Sequence, residues 1–589
     1  MKSIFKKSTI FFAVACFLAG CSKKLEEHPY TQFTAEFLKT PAGFQDALNA
    51  VYSGMRYDYG PNGALAITNV GTDEWTYADQ PRTGADGDVL NLGTYTNLTP
   101  SNGAILTPWN RNFGNINTAN AIVDLAPEVN LDENKKKEIV AQARYLRAHL
   151  YMLLVTQFGA VPLDLGSGDL TFNKVPFSGF NRASAEELLV KDYQAMIDDL
   201  TYASENLPDQ RPASAFILSK AAALHMLAKV YIFRAYSPAK QSTDFESAYQ
   251  AAKKLIDNKA LYGVDLLQNF ADVHKQGNDY NKEVLYSVER IPLNYVNNEV
   301  VNPGSDFADK VNIANNMFNP DYTSIEVPAG SGKKPVSART LTYGRPLRRY
   351  APTRWLTDVA FADKVNDSRY DGTFRTMWRA SSAEATGIAV GDTAFVLAST
   401  QRIADSLNAL GKKYRILPPS QWYTNQNTAL NIYPALSKYE DSLKAAPNDV
   451  SGRPYIVSKF SEVYLLAAEA AIQAGHPADA VSLLNTLRDR AAYRPNLTAD
   501  QLTARRNAMH VTTSQLNLDF ILDERSRELA GESVRWPDLA MRGKLVERVK
   551  ANNPDGAANI QPFHVLRPIP KSQNDNVSDP TQRYQNPGY

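Results

Sequence analysis

Apolar residues recur at helical spacing over several long segments of the chain. Between Glu138 and Phe158 the positions Ile139, Ala143, Leu146, Leu150 and Leu153 are separated by 4, 3, 4 and 3 residues, which places them on one helix face. Gly159 and Pro162 end that pattern, as a C-terminal glycine and a following proline do. Ser184 and Glu187 have the spacing of a capping box and open a second predicted helix that runs to about Asn206, before Pro208. Phe216 to Ala235, rich in alanine, reads as a third helix. Phe245 to Asp257, with Ala248, Ala252 and Leu255 on one side, reads as a fourth. A further pair spans Ser461 to Ala492, its helices separated by Gly475 and Pro477, the C-cap glycine and N1 proline of a tight helical hairpin. Within it Tyr464, Ala468, Ala480 and Leu484 fall at tetratricopeptide-repeat spacing, although Ala471 and Ala492 depart from that pattern. The predicted architecture is mainly α: stacked tetratricopeptide-like helical hairpins supporting a loop-rich, irregular face. Such a stack is a binding scaffold with no chemistry of its own.

Two stretches lack this periodicity. Tyr57 to Asn110 is crowded with Gly, Asn, Thr, Asp and Pro, and residues 260–455 mix short strand-like runs such as Val284 to Val288 with polar loops. Long loops in a compact protein commonly carry function.

The N-terminus has its own pattern. Lys2, Lys6 and Lys7 precede an unbroken apolar run from Ile10 to Ala19, too short to span a bilayer, and Leu18-Ala19-Gly20-Cys21 follows. This resembles a bacterial lipobox, which implies a signal peptide over 1–20, lipidation of Cys21 and a polar tether over 21–38. No later stretch is long and apolar enough to span a membrane.

Length and composition narrow the remaining choices. At ~150 residues per domain the 589 residues correspond to three or four domains, or to one large helical unit. Hydrophobic residues at 44% and charged residues at 21% describe a folded chain with a substantial core. The net charge of +1, with no basic block evident, argues against nucleic acid as a partner. Both cysteines, Cys16 and Cys21, lie in the N-terminal segment, so the body has neither a disulfide nor a thiolate metal site. Catalytic motifs are missing as well. The seven histidines show no paired metal-binding spacing, and there is no GxSxG elbow. Gly330-Ser331-Gly332-Lys333 lacks both the first glycine and the final Ser or Thr of a phosphate loop. Asn366 to Gly372, calcium-loop-like at first sight, is interrupted by Arg369 and Tyr370 and reads as a turn. The sequence therefore predicts no cofactor, no metal and no catalytic residue.

The C-terminal third carries the most specific pattern. Asp519 to Ala530 on its charges alone is an amphipathic helix with intrahelical pairs among Glu524, Arg525, Arg527 and Glu528. Its order, continued through Glu532, Arg535, Trp536, Asp538, Leu539 and Arg542, resembles the closing signature of the SusD/RagB family. Arg147, Ala148, Tyr151, Leu154, Phe158, Gly159, Val161, Pro162 and Leu163 are similar to a second family motif. Trp109, Ile116, Ala119 and Asn120 are similar to a third. Glu462, Leu465, Ala468, Glu469, Ala470, Leu484, Asn485, Arg488, Arg490 and Ala491 resemble its hairpin. Pro568-Ile569-Pro570 and the final Gln585 to Tyr589 match its closing run. The resemblance covers nearly the whole mature chain, as an N-terminal region over 39–260 and a C-terminal region over 261–589 of one integrated unit. It implies an outer-membrane, surface-exposed lipoprotein that binds a glycan without chemistry and passes it to a SusC-like TonB-dependent transporter. A peptide-binding lid and a lipid-anchored hydrolase are the alternatives.

The shared motifs lie in the scaffold, so the ligand contacts must be sought by chemistry. Sugar rings need exposed aromatic faces, and their hydroxyls need Asp, Asn or Arg. Asp73, Trp75, Tyr77 and Arg82 supply that mixture in the irregular segment, and Tyr295 and Tyr350 lie in polar loops of the second half. These six are the expected ligand contacts, with Trp75 as the principal platform.

Overall fold

The computed structural model describes residues 35–78, 87–165, 182–290, 310–382, 387–422 and 431–589. Cys21, Arg82 and Tyr295 lie outside them. The helices that form the scaffold are α1 (Pro41–Gly54), α2 (Asn62–Asn69), α3 (Gly103–Leu125), α4 (Glu133–Phe158), α5 (Arg182–Asn206), α6 (Lys220–Tyr236), α7 (Asp244–Asp257), α8 (Phe460–Gln473), α9 (Pro477–Ala491), α10 (Ala499–Met509), α11 (Leu518–Leu529), α12 (Arg535–Met541) and α13 (Leu545–Asn552). The predicted helices are all present, with some boundaries shifted: α5 already runs from Arg182, so Ser184 lies inside it instead of capping it, and α6 begins at Lys220 instead of Phe216. Helix α4 starts five residues before the periodic pattern because the Asp132 carboxylate accepts from the Asn134 and Lys135 amides, each at 3.0 Å. Between α8 and α9 the chain turns at Gly475, whose φ of +87° suits a residue without Cβ, and Pro477 opens the next helix.

From α3 to α9 each helix packs against the next, and α1 lies against α3. The step from α7 to α8 is the unusual one, since those neighbours are 202 residues apart in sequence. The stack is therefore continuous in space and interrupted in sequence. Strand pairing closes the interruption. Besides the scaffold helices there are β1 (Trp75–Tyr77), β2 (Val284–Val288), β3 (Tyr350–Pro352), β4 (Met377–Arg379), β5 (Thr393–Leu397), β6 (Arg415–Leu417) and β7 (Tyr455–Lys459). Buried β2 pairs antiparallel with β7, which runs directly into α8. Strands β4 and β5 pair antiparallel and β5 and β6 parallel, forming a small lobe with its own core of Tyr322, Ile325, Val336, Trp378, Phe395 and Trp422. Trp378 and Phe395 stack there with ring centroids 4.9 Å apart.

The segment expected to be irregular is in large part ordered. Asn62–Asn69 is helical, β1 follows, Gly87–Thr94 is a further short helix, and α3 begins at Gly103 behind an Asn102 cap. Its Gly and Asn residues supply caps and turns between short elements, which composition alone does not distinguish from loop.

Buried charge joins the C-terminal helices to the rest. Only the Arg527–Glu524 pair, at 2.7 Å, is intrahelical as its spacing predicts. Glu524 also meets Arg369 (2.8 Å) and Arg488 (2.6 Å), Glu528 meets Arg490 (2.5 Å), and Arg525 reaches both Glu462 (2.8 Å) and Asp538 (2.7 Å). Arg542 closes on Glu469 with bonds of 2.6 and 2.7 Å. Burial alone would raise the Glu462 carboxyl, but Lys229, His225 and Arg525 outweigh it and hold that group well below the ordinary range. Removing one member of such a network costs about 3–5 kcal/mol, because its partners stay charged and buried.

Candidate functional site

Asp73 is buried and makes a bidentate pair with Arg535 at 2.7 and 2.6 Å. Trp75 is 0% exposed and packs edge-on against Phe318 at 4.8 Å. Tyr77 and Tyr350 are opposite each other in the β1–β3 pair, and the Tyr350 hydroxyl donates to the Asn62 carbonyl at 2.9 Å. The fold does bring Trp75, Tyr77 and Tyr350 together, but inside the core. A ring enclosed on both faces offers no platform, so the expectation that these side chains are exposed is corrected: in this structure they belong to the scaffold. A three-residue strand in a Gly- and Asn-rich stretch looks like loop in sequence, and only its pairing partner 275 residues later reveals it.

The surface offers a different site. A cavity of about 370 Å³ opens between α1, the start of α4, residues 216–217 and β2, within the usual range for a small-ligand pocket. Helix α1 contributes Gln45, Leu48, Asn49 and Tyr52, which at spacings of 3, 1 and 3 share one helix face. Helix α4 adds Lys135, Glu138 and Gln142 by the same periodicity. The Tyr52 hydroxyl donates to Gln142 Oε1 at 2.6 Å and accepts from the Leu218 amide at 3.3 Å. Gln142 Nε2 donates to Glu138 at 3.3 Å, and Arg56 Nε donates to the Glu289 carbonyl at 2.9 Å. The Tyr280 hydroxyl donates to the Glu289 carboxylate. Burial pushes the Tyr52 hydroxyl well above its ordinary pKa, raises the Glu289 carboxyl and lowers Arg56.

The half-buried Phe216 ring forms part of the wall. The groove thus offers amides, a tyrosine hydroxyl, a carboxylate and a guanidinium around apolar ring surface. That composition suits a ligand with many hydroxyls and apolar C–H faces. Among the described residues, no group of three or more His, Cys, Asp or Glu is placed to hold a metal ion. Sequence reading missed this site because the helix that carries Gln45, Asn49 and Tyr52 is not among the predicted ones, and Glu138 and Gln142 sit as ordinary polar positions at the start of a predicted helix. The signal available was the polar stripe of Gln45 and Asn49 on α1, at helical spacing beside Tyr52.

Comparison with known proteins agrees with this architecture. A family described as "SusD family" matches residues 312–589, and one described as "Starch-binding associating with outer membrane" matches residues 25–232. The chain is similar to "SusD-like protein P2" of Formosa agariphila, 27% identical over 541 residues that cover 91% of this chain and 90% of that one. It is also similar to a "SusD-like protein" of Bacteroides ovatus, 26% identical over 305 residues, 49% of this chain and 51% of that one. A SusD homologue from Bacteroides thetaiotaomicron superposes with a TM-score of 0.67 at 21% identity, covering 95% of this chain and 99% of that one. A laminarin-binding SusD-like protein superposes with a TM-score of 0.65 at 21% identity, covering 93% and 100%. These structural likenesses establish a shared fold. The residues of the matching motifs explain why it is shared. Arg147 bonds Asn120 (2.8 Å) of another motif, Arg525 and Arg542 of the closing signature grip Glu462 and Glu469 of the hairpin, and Asn586 of the terminal run donates to the Phe158 carbonyl at 2.8 Å.

Proposed function

The chain belongs to the SusD/RagB family, and on that premise we propose that it is a lipid-anchored outer-membrane protein that binds a glycan and hands it to a SusC-like TonB-dependent transporter. The single observation that carries the ligand class is the groove between α1, α4 and β2, where amides and charged groups surround aromatic surface. No helix among the described residues is long and apolar enough to cross a membrane, in keeping with attachment through Cys21. The protein works by binding and release, without turnover.

The test is a glycan array probed with the mature chain, followed by titration of Phe216→Ala and Gln142→Ala. A sugar covering ~80 Å² of ring face contributes ~2 kcal/mol, so Phe216→Ala weakens binding about 30-fold. Reducing ends do not accumulate over hours. Binding to peptides with no glycan bound at millimolar concentration overturns the ligand class. Steady release of reducing ends overturns the non-catalytic reading.

A further inference from the structure

The small net charge of the chain conceals a strongly uneven distribution. Residues 321–440, which hold the lobe around β4, β5 and β6, contain sixteen Lys and Arg against ten Asp and Glu, a net of +6 in a chain whose total is +1. Within them the run from Val327 to Thr357 has seven basic residues (Lys333, Lys334, Arg339, Arg345, Arg348, Arg349 and Arg354) and no acid. This corrects the expectation that the chain has no basic block.

The run is held across the lobe by fixed bonds. Asn319 Nδ2 donates to the Tyr343 carbonyl (2.8 Å), the Ser381 amide donates to the Pro335 carbonyl (2.8 Å), and the Arg379 amide donates to the Tyr343 hydroxyl (2.7 Å). The half-buried Tyr343 ring has the Arg375 guanidinium 4.6 Å from its centroid. Some of the positive charge is answered: Arg348 meets Asp321 at 3.3 Å, Arg354 meets Asp358 at 2.6 Å and Arg375 meets Glu440 at 2.5 Å. Two exposed guanidiniums, those of Arg339 and Arg379, meet no carboxylate among the described residues. Arg339 donates to the Asn448 side-chain oxygen (2.8 Å) and Arg379 to the Gly391 carbonyl (3.0 Å), both neutral. A lobe surface with guanidiniums in excess of acid, one of them over an aromatic ring, suits a saccharide bearing fixed negative charge.

We propose that this face of the lobe, centred on Arg339, Tyr343, Arg375 and Arg379, recognises the anionic substituents of an acidic polysaccharide, carboxylate or sulfate. The proposal rests on the glycan reading above and narrows it. The groove takes neutral hydroxyl-rich surface, and the lobe selects for charge.

The experiment is titration of the mature chain with a neutral β-glucan, a polyuronate, a sulfated galactan and poly-glutamate, each at 50 and 300 mM NaCl. One acidic polysaccharide binds at least tenfold more tightly than the neutral glucan, and its affinity falls severalfold at the higher salt. Comparing polyuronate with sulfated galactan identifies the substituent. The double variant Arg339→Gln/Arg379→Gln loses about tenfold for the acidic polymer at an unchanged melting temperature. Equal binding of the neutral glucan by the parent and this variant, with no preference for acid, overturns the charge proposal and leaves the glycan reading standing. Equal binding of poly-glutamate overturns it too, since charge alone would then suffice. Binding of no polysaccharide at all overturns the glycan reading itself, and with it this proposal.

Discussion

Replacing Trp75 by Ala separates the scaffold role seen in the structure from the ligand role its sequence context suggests. The indole is fully buried, edge-on to Phe318 at 4.8 Å and tilted against Phe374 at 6.3 Å. Its backbone pairs with Pro352 across β1 and β3, so the cavity would open where two distant segments meet. Loss of a buried Trp side chain costs about 3–5 kcal/mol, cavity included. The indole Nε1 has no hydrogen-bond partner among the described residues, so none of that figure is a lost hydrogen bond. Trp75→Phe, which keeps most of the ring packing, is accordingly expected to cost only about 1 kcal/mol. The measurement is a urea or thermal melt of both variants against the parent, followed by far-UV circular dichroism, with glycan titration of each at 15 °C. The expected result is a melting temperature lowered by several degrees for Ala and little changed for Phe, with parental affinity wherever the protein is folded. An unchanged melt together with abolished binding would refute the reasoning and place the indole against the ligand.

Other outcomes follow from the same structure. Glu462→Gln leaves Arg525 and Lys229 with less negative charge to answer them and destabilises the chain by about 3–5 kcal/mol in a urea melt at pH 7. Because the native Glu462 carboxyl titrates below its unfolded value, its contribution is complete above the unfolded pKa and is lost as pH falls through the folded one; the gap between variant and parent therefore narrows in acid. Asp192 behaves oppositely: burial raises it to about 8, so the parent loses stability as pH climbs from about 4 towards 8. Asp192→Asn, whose side-chain oxygen can still accept from the Val161 amide, removes that slope and is the more stable protein at pH 8.5. Cys21→Ala moves a folded body from the membrane fraction to the soluble fraction, and retention in the membrane at the parental level would show another anchor.

What was readable in the sequence was whatever repeats locally. Helices α4 to α9 declare themselves because each buries a face at 3.6-residue period, and their ends carry caps such as Asp132 and the Gly475–Pro477 turn. The closing signature was readable as a pattern but not as a mechanism. Helical spacing suggests that Glu524 to Glu528 pair among themselves, whereas most of their partners are Arg369, Arg488, Arg490 and Glu462, brought in by tertiary packing. The site was not readable for the same reason. Trp75 and Tyr350 have the residue types of a binding surface, yet a strand pair joining residues 75–77 to 350–352 turns them inward. Gln45, on a helix that the periodicity does not announce, and Gln142, on one that it does, are ordinary polar positions until the folding of β2 beside them leaves a groove. Charge shows the limit most clearly. A total of +1 is an average over the whole chain, and the acid-free run from Val327 to Thr357 was visible in the sequence once the window matched the lobe. The composition of one lobe therefore need not follow that of the chain. The buried pairs that fix α8, α9 and α11 use neither the groove-lining residues nor Arg339, Tyr343, Arg375 and Arg379, so substitutions at either proposed ligand surface leave that network of charges intact.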